Sequence, residues 1–300
     1  MQKISGLVLA LSLASGAAQA HSNKINNVES HARRAVCSGF LPANDMKIPV
    51  GSKMAKGISR AEYDRVLDKI YALYADEVAG HGAKFKINRL WKSPDVNAAA
   101  FQEAGSWEID MYGGMARHKA ITSDAFALVA CHEMGHHLGG APKYANEDGT
   151  YEWATNEGGS DYYAALKCMR RMFDRDDNER ILAGRQLDPV AVRYCQERHI
   201  NRKDELLCIR TTMAGLATAD LFASMGKKRA TLTTPDQRQV SKTDDSHPEP
   251  QCRLDTYFRS SLCTVPVSQD LDDRDYRPGS CYDARVTPLG LRPRCWFKPD

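Results

Sequence analysis

The five residues His132, Glu133, Met134, Gly135 and His136 bring two imidazoles and a carboxylate together at a spacing that suits metal chemistry. On a helix, residues four apart stand one above the other, so both imidazoles point at one spot and can share a divalent ion such as zinc. Glu133 is turned about 100° from His132. It lies beside the ion rather than on it, where a carboxylate can take a proton from an attacking water. The preceding residues Ala127, Leu128, Val129, Ala130 and Cys131 are apolar, which predicts a buried helix whose histidines need partners.

A catalytic zinc takes a third protein ligand and keeps one position open. Twenty-one residues beyond His136 the chain reads Asn156, Glu157, Gly158, Gly159, Ser160, Asp161. Glu157 and Asp161 are again four apart on one helical face. Glu157 is assigned as the ligand, with Asp161 accepting the remaining N–H of a ligand histidine and fixing its tautomer. Asp161 as the ligand is the rival assignment. A metzincin would continue with His-x-x-Gly-x-x-His, but the chain runs on as His137, Leu138, Gly139, Gly140, Ala141, Pro142, with no histidine at that spacing. His137 is turned about 100° from His136 and falls either behind the ligands or at the surface. The Gly-x-Met-Glu-Asn signature of zinc aminopeptidases is absent, which favours an endopeptidase. The competing function is a non-catalytic chaperone or binding protein with a structural zinc, a role in which Glu133 has no use.

The elements that must position these groups follow from pattern. Ser59 and Glu62 form a capping box ahead of Tyr63, Val66, Leu67, Ile70, Tyr74 and Val78 at helical spacing, and Gly80 and Gly82 end that helix. Residues 85–115 read as short strands with turns at Gly105, Gly113 and Gly114. The helix carrying the histidines starts at Thr122, Ser123 or Asp124 and stops at Gly139 and Gly140. A third helix spans about 156–173, a short one opens at Asp188 and Pro189, and an apolar-faced one covers about 203–225. Residues 227–250 read as a polar linker, and 251–300 as a loop-rich tail holding four cysteines. The expected fold class is α+β, mainly helical, with a small β-sheet and a disulfide-pinned C-terminal tail.

Charged residues make up 26% of the 300, and the net charge is only +3. That leaves no footprint for nucleic acid or an anionic membrane. Lys3, the apolar run from Leu7 to Leu13, and Ala18, Gln19, Ala20 compose an export signal over residues 1–20. No later segment is expected to span a membrane. Nine cysteines follow, Cys37, Cys131, Cys168, Cys195, Cys208, Cys252, Cys263, Cys281 and Cys295, with no C-x2-C pair. They imply disulfides in an oxidising compartment, periplasmic or secreted, rather than cysteine-bound zinc. One thiol must stay unpaired, and Cys131, inside the ligand helix, is the candidate.

Four separated segments resemble the HtpX-like and CAAX-prenyl-protease-like gluzincin metallopeptidases, in particular their soluble periplasmic BepA-type branch. They are Pro94, Asp95, Val96, Asn97, Ala98 leading to Gly113, Gly114 and Met115; His132-Glu133-x-x-His136; Glu157-x-x-x-Asp161; and Ser246, His247, Pro248 followed by Arg253 and Leu254. The matching segments span about residues 60–255. The resemblance implies a zincin-like core with one Zn2+ per chain and a polypeptide substrate. It implies that Asn97 and Ala98 belong to an edge strand that receives substrate as an added strand. It also implies that His247 reaches the metal, either polarising the oxyanion that develops in the reaction or filling the open position at rest. Arg253 is expected to pair with an acid near the site or to lie exposed beside Cys252. The resulting organisation is a signal peptide at 1–20, an N-terminal extension at 21–58, the metallopeptidase domain at 59–255 and a cysteine-rich tail at 256–300. The prenyl-protease membrane helices have no counterpart here, so prenylated peptides are not implied as substrates.

Overall fold

Ser59 opens the first helix as its capping box predicts. Its hydroxyl accepts from the Glu62 N–H at 3.2 Å, and the Glu62 carboxylate accepts from the Ser59 N–H at 2.8 Å. Helix α1 then runs over Arg60–Gly80 and buries Tyr63, Leu67, Ile70, Tyr74 and Val78 along one face. The computed structural model describes residues 39–299, which fall within one compact unit. The signal peptide assigned to residues 1–20 lies outside them.

Three strands follow: β1 (Lys84–Leu90), β2 (Ala98–Glu103) and β3 (Ser106–Tyr112). Their order is β1-β3-β2, parallel between β1 and β3 and antiparallel between β2 and β3. A one-turn helix α2 (Gly113–Arg117) leads to α3 (Ser123–Leu138), which Thr122 caps. A second, two-stranded sheet joins β4 (Lys143–Ala145) to β5 (Tyr151–Thr155), where the sequence suggested only one sheet. Helix α4 (Glu157–Tyr163) passes through a wider π-helical turn (Ala164–Cys168) into α5 (Met169–Phe173). Then come α6 (Asn178–Leu182), α7 (Pro189–Arg198), α8 (Arg202–Ser224) and α9 (Pro250–Ser261). The fold is α+β and mainly helical.

Helix α3 is the axis of the core. Every residue from Asp124 to His137 is buried, packed among α1, α4, α8 and the sheet. Gly135 permits this, because any Cβ there would lie 2.7 Å from the Ser160 backbone. By length and composition helix α8 is apolar enough to cross a membrane, and 78% of its apolar window is buried inside the protein. Its Arg210 carries a buried ion pair to Asp124 at 2.6 Å. The supposed loop-rich stretch after residue 250 begins instead with α9, opened by a proline at its first turn.

Eight cysteines pair: Cys131 with Cys168, Cys195 with Cys208, Cys252 with Cys295, and Cys263 with Cys281. The expectation that Cys131 is the unpaired thiol is therefore overturned. Its sulfur bonds to Cys168, at the end of the π-helical turn. The ninth cysteine, Cys37, lies outside the described residues. Two disulfides lie wholly within 252–295 or tie it to α9, and Trp296 is fully buried there. This many disulfides mark an oxidising, extracytoplasmic compartment.

Candidate metal centre

Helix α3 supplies two imidazoles and α4 a carboxylate, and the two helices meet where Gly135 lets them. Ligating atoms of His132, His136 and Glu157 all lie within 4.8 Å of one another, and all three residues are fully buried. His132 Nε2 stands 3.2 Å from Glu157 Oε2, and His136 Nε2 stands 3.8 Å from Glu157 Oε1. Among the described residues, His132 Nε2, His136 Nε2 and Glu157 Oε2 have no hydrogen-bond partner. Buried polar atoms left this way cost free energy, and a cation at their centre would satisfy all three. The group can hold a metal ion.

The other ring nitrogens are fixed from behind. His132 Nδ1 meets Asp161 Oδ1 at 2.7 Å, and His136 Nδ1 meets the Thr155 carbonyl at 2.8 Å. Each acceptor draws the imidazole proton to Nδ1 and turns Nε2 inward. Asp161 thus lies behind His132 at Nδ1, and Glu157 lies on the inward side at Nε2. Asp161 itself receives Arg253 Nε at 2.7 Å, an Arg253 terminal nitrogen at 2.8 Å, and the Tyr257 hydroxyl at 2.5 Å. Arg253 is buried and paired, not exposed, and its other terminal nitrogen donates to the Phe40 carbonyl at 2.6 Å. Its guanidinium lies 4.3 Å from the centre of the Phe40 ring, which in turn meets the His132 ring edge-on at 5.1 Å.

Charge follows geometry. Burial opposes a charged His132, but the Asp161 carboxylate and Glu157 outweigh it and lift the imidazolium to about 10. A metal bound at Nε2 would take the place of that second proton. Burial pushes the Glu133 carboxyl up to about 7, with His132 and His136 opposing. Burial would raise Glu157 as well, but the nearby His132, His136 and His247 hold it below the usual carboxylate range. Both Glu133 oxygens are buried without a hydrogen-bond partner among the described residues.

A strand and a loop bring side chains to the same carboxylate. Tyr144, on β4, donates to Glu157 Oε1 at 3.0 Å, and His247 Nε2 lies 3.5 Å from that oxygen. The His247 loop is tethered by Asn156, which caps α4 through its Oδ1 and holds Asp245 through its Nδ2 at 2.9 Å. His247 Nε2 also donates to the Gly39 carbonyl at 2.6 Å. His137 turns out to be neither at the surface nor against the ligands. It is buried, stacked between Trp107 and Trp153 at 5.2 and 5.0 Å, and burial pushes its imidazole down to about 3.

Asn97 and Ala98 stand at the start of β2, and their polar groups are already engaged. Asn97 holds both backbone groups of Leu41, at 2.9 and 3.2 Å, and the Ala98 carbonyl accepts from the Phe40 N–H at 2.9 Å. Sequence reasoning missed Phe40, Tyr144 and Tyr257. Tyr257 was within reach, since it follows Arg253 by four residues, but that required reading 250–261 as a helix. No family model, curated protein or solved structure matches the chain.

Proposed function

We propose that the chain is an exported zinc metallopeptidase that hydrolyses peptide bonds in proteins outside the cytoplasm. The observation that carries the reading is the cluster of buried ligating atoms on His132, His136 and Glu157, all within 4.8 Å of one another, with the buried carboxylate of Glu133, which has no hydrogen-bond partner among the described residues, beside them. Two imidazoles and one carboxylate form a donor set suited to catalytic zinc, which leaves a position for water and substrate. A zinc ion held there would supply Lewis acidity and make water acidic enough to attack near neutral pH.

The chain's own residues do the rest. Glu133, lifted to about 7, takes the proton of the attacking water and delivers it to the leaving nitrogen. Asp161 and Thr155 hold the ligand imidazoles in the tautomers that present Nε2, and Arg253 and Tyr257 hold Asp161. His247 and Tyr144 approach Glu157 from outside the two ligand helices. Released from Glu157 and from the Gly39 carbonyl, their O–H and N–H would be free to donate to oxygen charge that develops during attack. The resemblance to the HtpX-like gluzincins supports the roles of His132, Glu133, His136, Glu157, Asp161 and His247, with the four disulfides favouring a periplasmic or secreted setting.

The test is cleavage of a denatured protein by zinc-loaded wild type and Glu133→Gln. Wild type should cut it, and the variant should keep its zinc while losing about 10²–10⁴-fold in rate. Equal turnover by the two sinks the peptidase reading and leaves a structural metal as its successor.

A further inference from the structure

Glu157 presents both of its oxygens to the ligand imidazoles. Oε2 stands 3.2 Å from His132 Nε2, and Oε1 stands 3.8 Å from His136 Nε2. Distance alone would let the carboxylate meet a cation with one oxygen or with both. The surroundings tell the two oxygens apart. Oε2 has no hydrogen-bond partner among the described residues, whereas Oε1 accepts from the Tyr144 hydroxyl at 3.0 Å. His247 Nε2 lies 3.5 Å from Oε1, but its hydrogen bond goes to the Gly39 carbonyl at 2.6 Å. Tyr144 is steadied by its neighbours on β4. Lys143 Nζ donates to the Trp153 carbonyl at 3.1 Å and pairs with Asp273 at 2.7 Å, and the Ala145 N–H donates to Asp245 Oδ2 at 3.3 Å. Its ring lies 6.4 Å from that of His136, 24° from parallel. The hydroxyl is therefore brought to Glu157 by the hairpin, not by either ligand helix.

An O–H aimed at a carboxylate oxygen forms one of the stronger hydrogen bonds in a protein and draws on the electron density a metal would otherwise bind. We propose that Tyr144 is a positioning residue that makes Glu157 a one-oxygen ligand. In the resting protein Oε1 stays with the phenol, and Oε2 alone is left for the metal. Two imidazoles and one oxygen leave a fourth position for water, as a catalytic zinc requires. Without the phenol, both oxygens of Glu157 are free to turn to the cation and crowd the place of that water. The hairpin thus governs whether water has a position at the metal, although it supplies no ligand. The inference rests on the metal-binding part of the function proposed above.

The test loads the full-length protein with Co2+, whose visible absorption weakens as its coordination number rises above four. Infrared difference spectra of metal-loaded against metal-free protein accompany it. In these the splitting between the two carboxylate stretches is wide for one bound oxygen and narrow for two. Wild type should show the strong absorption and the wide splitting. Tyr144→Phe removes only a hydroxyl from a half-buried side chain. It should weaken the absorption about twofold or more and narrow the splitting. Loosened packing alone would leave the splitting wide. A narrow splitting in wild type, or a wide one kept by Tyr144→Phe, overturns the role of Tyr144 and leaves the peptidase reading standing. Wild type that takes up no metal removes the peptidase reading and this inference with it.

Discussion

The Asp161–Arg253 pair offers a test in which stability and metal affinity should separate. Both side chains are buried, and two bonds of 2.7 and 2.8 Å join them. Arg253→Met leaves Asp161 buried with only His132 and Tyr257 and also abandons the Phe40 carbonyl. Breaking one side of a buried ion pair costs about 3–5 kcal/mol, and the lost carbonyl bond adds about 1–2 kcal/mol. Asp161→Asn strands the guanidinium at similar cost. The double variant leaves neither charge alone, so it should be less destabilised than the sum of the single variants by about 2–4 kcal/mol.

Metal affinity should sort differently. Asp161→Asn removes the acceptor that turns His132 Nε2 inward, and loss of such an acceptor costs about 10–100-fold in affinity. Arg253→Met retains that acceptor and should cost less. Urea unfolding after chelation reads the first quantity, and chelator competition for zinc reads the second. Additive stabilities within about 0.5 kcal/mol, or an Asp161→Asn protein that binds zinc like wild type, would refute this account of what holds His132.

Other outcomes can be checked with the same protein. Adding zinc at about a hundred times its Kd should stabilise wild type by about 2.7 kcal/mol, read as a concentration-dependent Tm, and His132→Ala should abolish the effect. Burial raises the Asp255 carboxyl to about 6, against hydrogen bonds from the Asp236 N–H and Gln251. The folded protein thus holds that proton more tightly than the unfolded chain, and stability is lost as pH rises from about 4 to 6. Asp255→Asn should therefore gain up to about 3 kcal/mol at pH 7 and nothing at pH 4, measured by denaturant unfolding. Replacing Cys131 and Cys168 by alanine opens a link between residues 37 apart in sequence. It should cost about 3–4 kcal/mol of stability in urea and weaken zinc binding in the same competition assay.

The metal group was legible because its evidence is periodic. Four-residue spacing places His132 with His136 and Glu157 with Asp161 on helical faces, and the structure sets the faces against each other. Helix starts at Ser59, Thr122, Asn156 and Asp188 were equally plain, since each cap accepts from a nearby N–H. What escaped depends on contacts between residues distant in sequence. Phe40 reaches His132 and Arg253 from the far end of the chain, and Tyr144 reaches Glu157 from a hairpin, with no local pattern to announce either. Cys131 was misjudged because pairing is decided by which helix lies behind it. Helix α9 was hidden because its surroundings are rich in proline, cysteine and charge, and only its buried face, with Arg253 and Tyr257, marks it as part of the site.

The bond between Cys131 and Cys168 joins the residue just before His132 to the turn just after the helix bearing Glu157 and Asp161. It fastens the two halves of the ligand set to each other from the rear. Thiols stay reduced in a cytosol, so a newly made chain there would rely on packing alone to align them. For the exported peptidase proposed above, the expected sequence in time is export, then oxidation, then metal capture, an order that would delay hydrolysis until the protein had left the proteins of its own cell behind. The weakened zinc binding expected of the alanine pair is the laboratory image of that unfinished state.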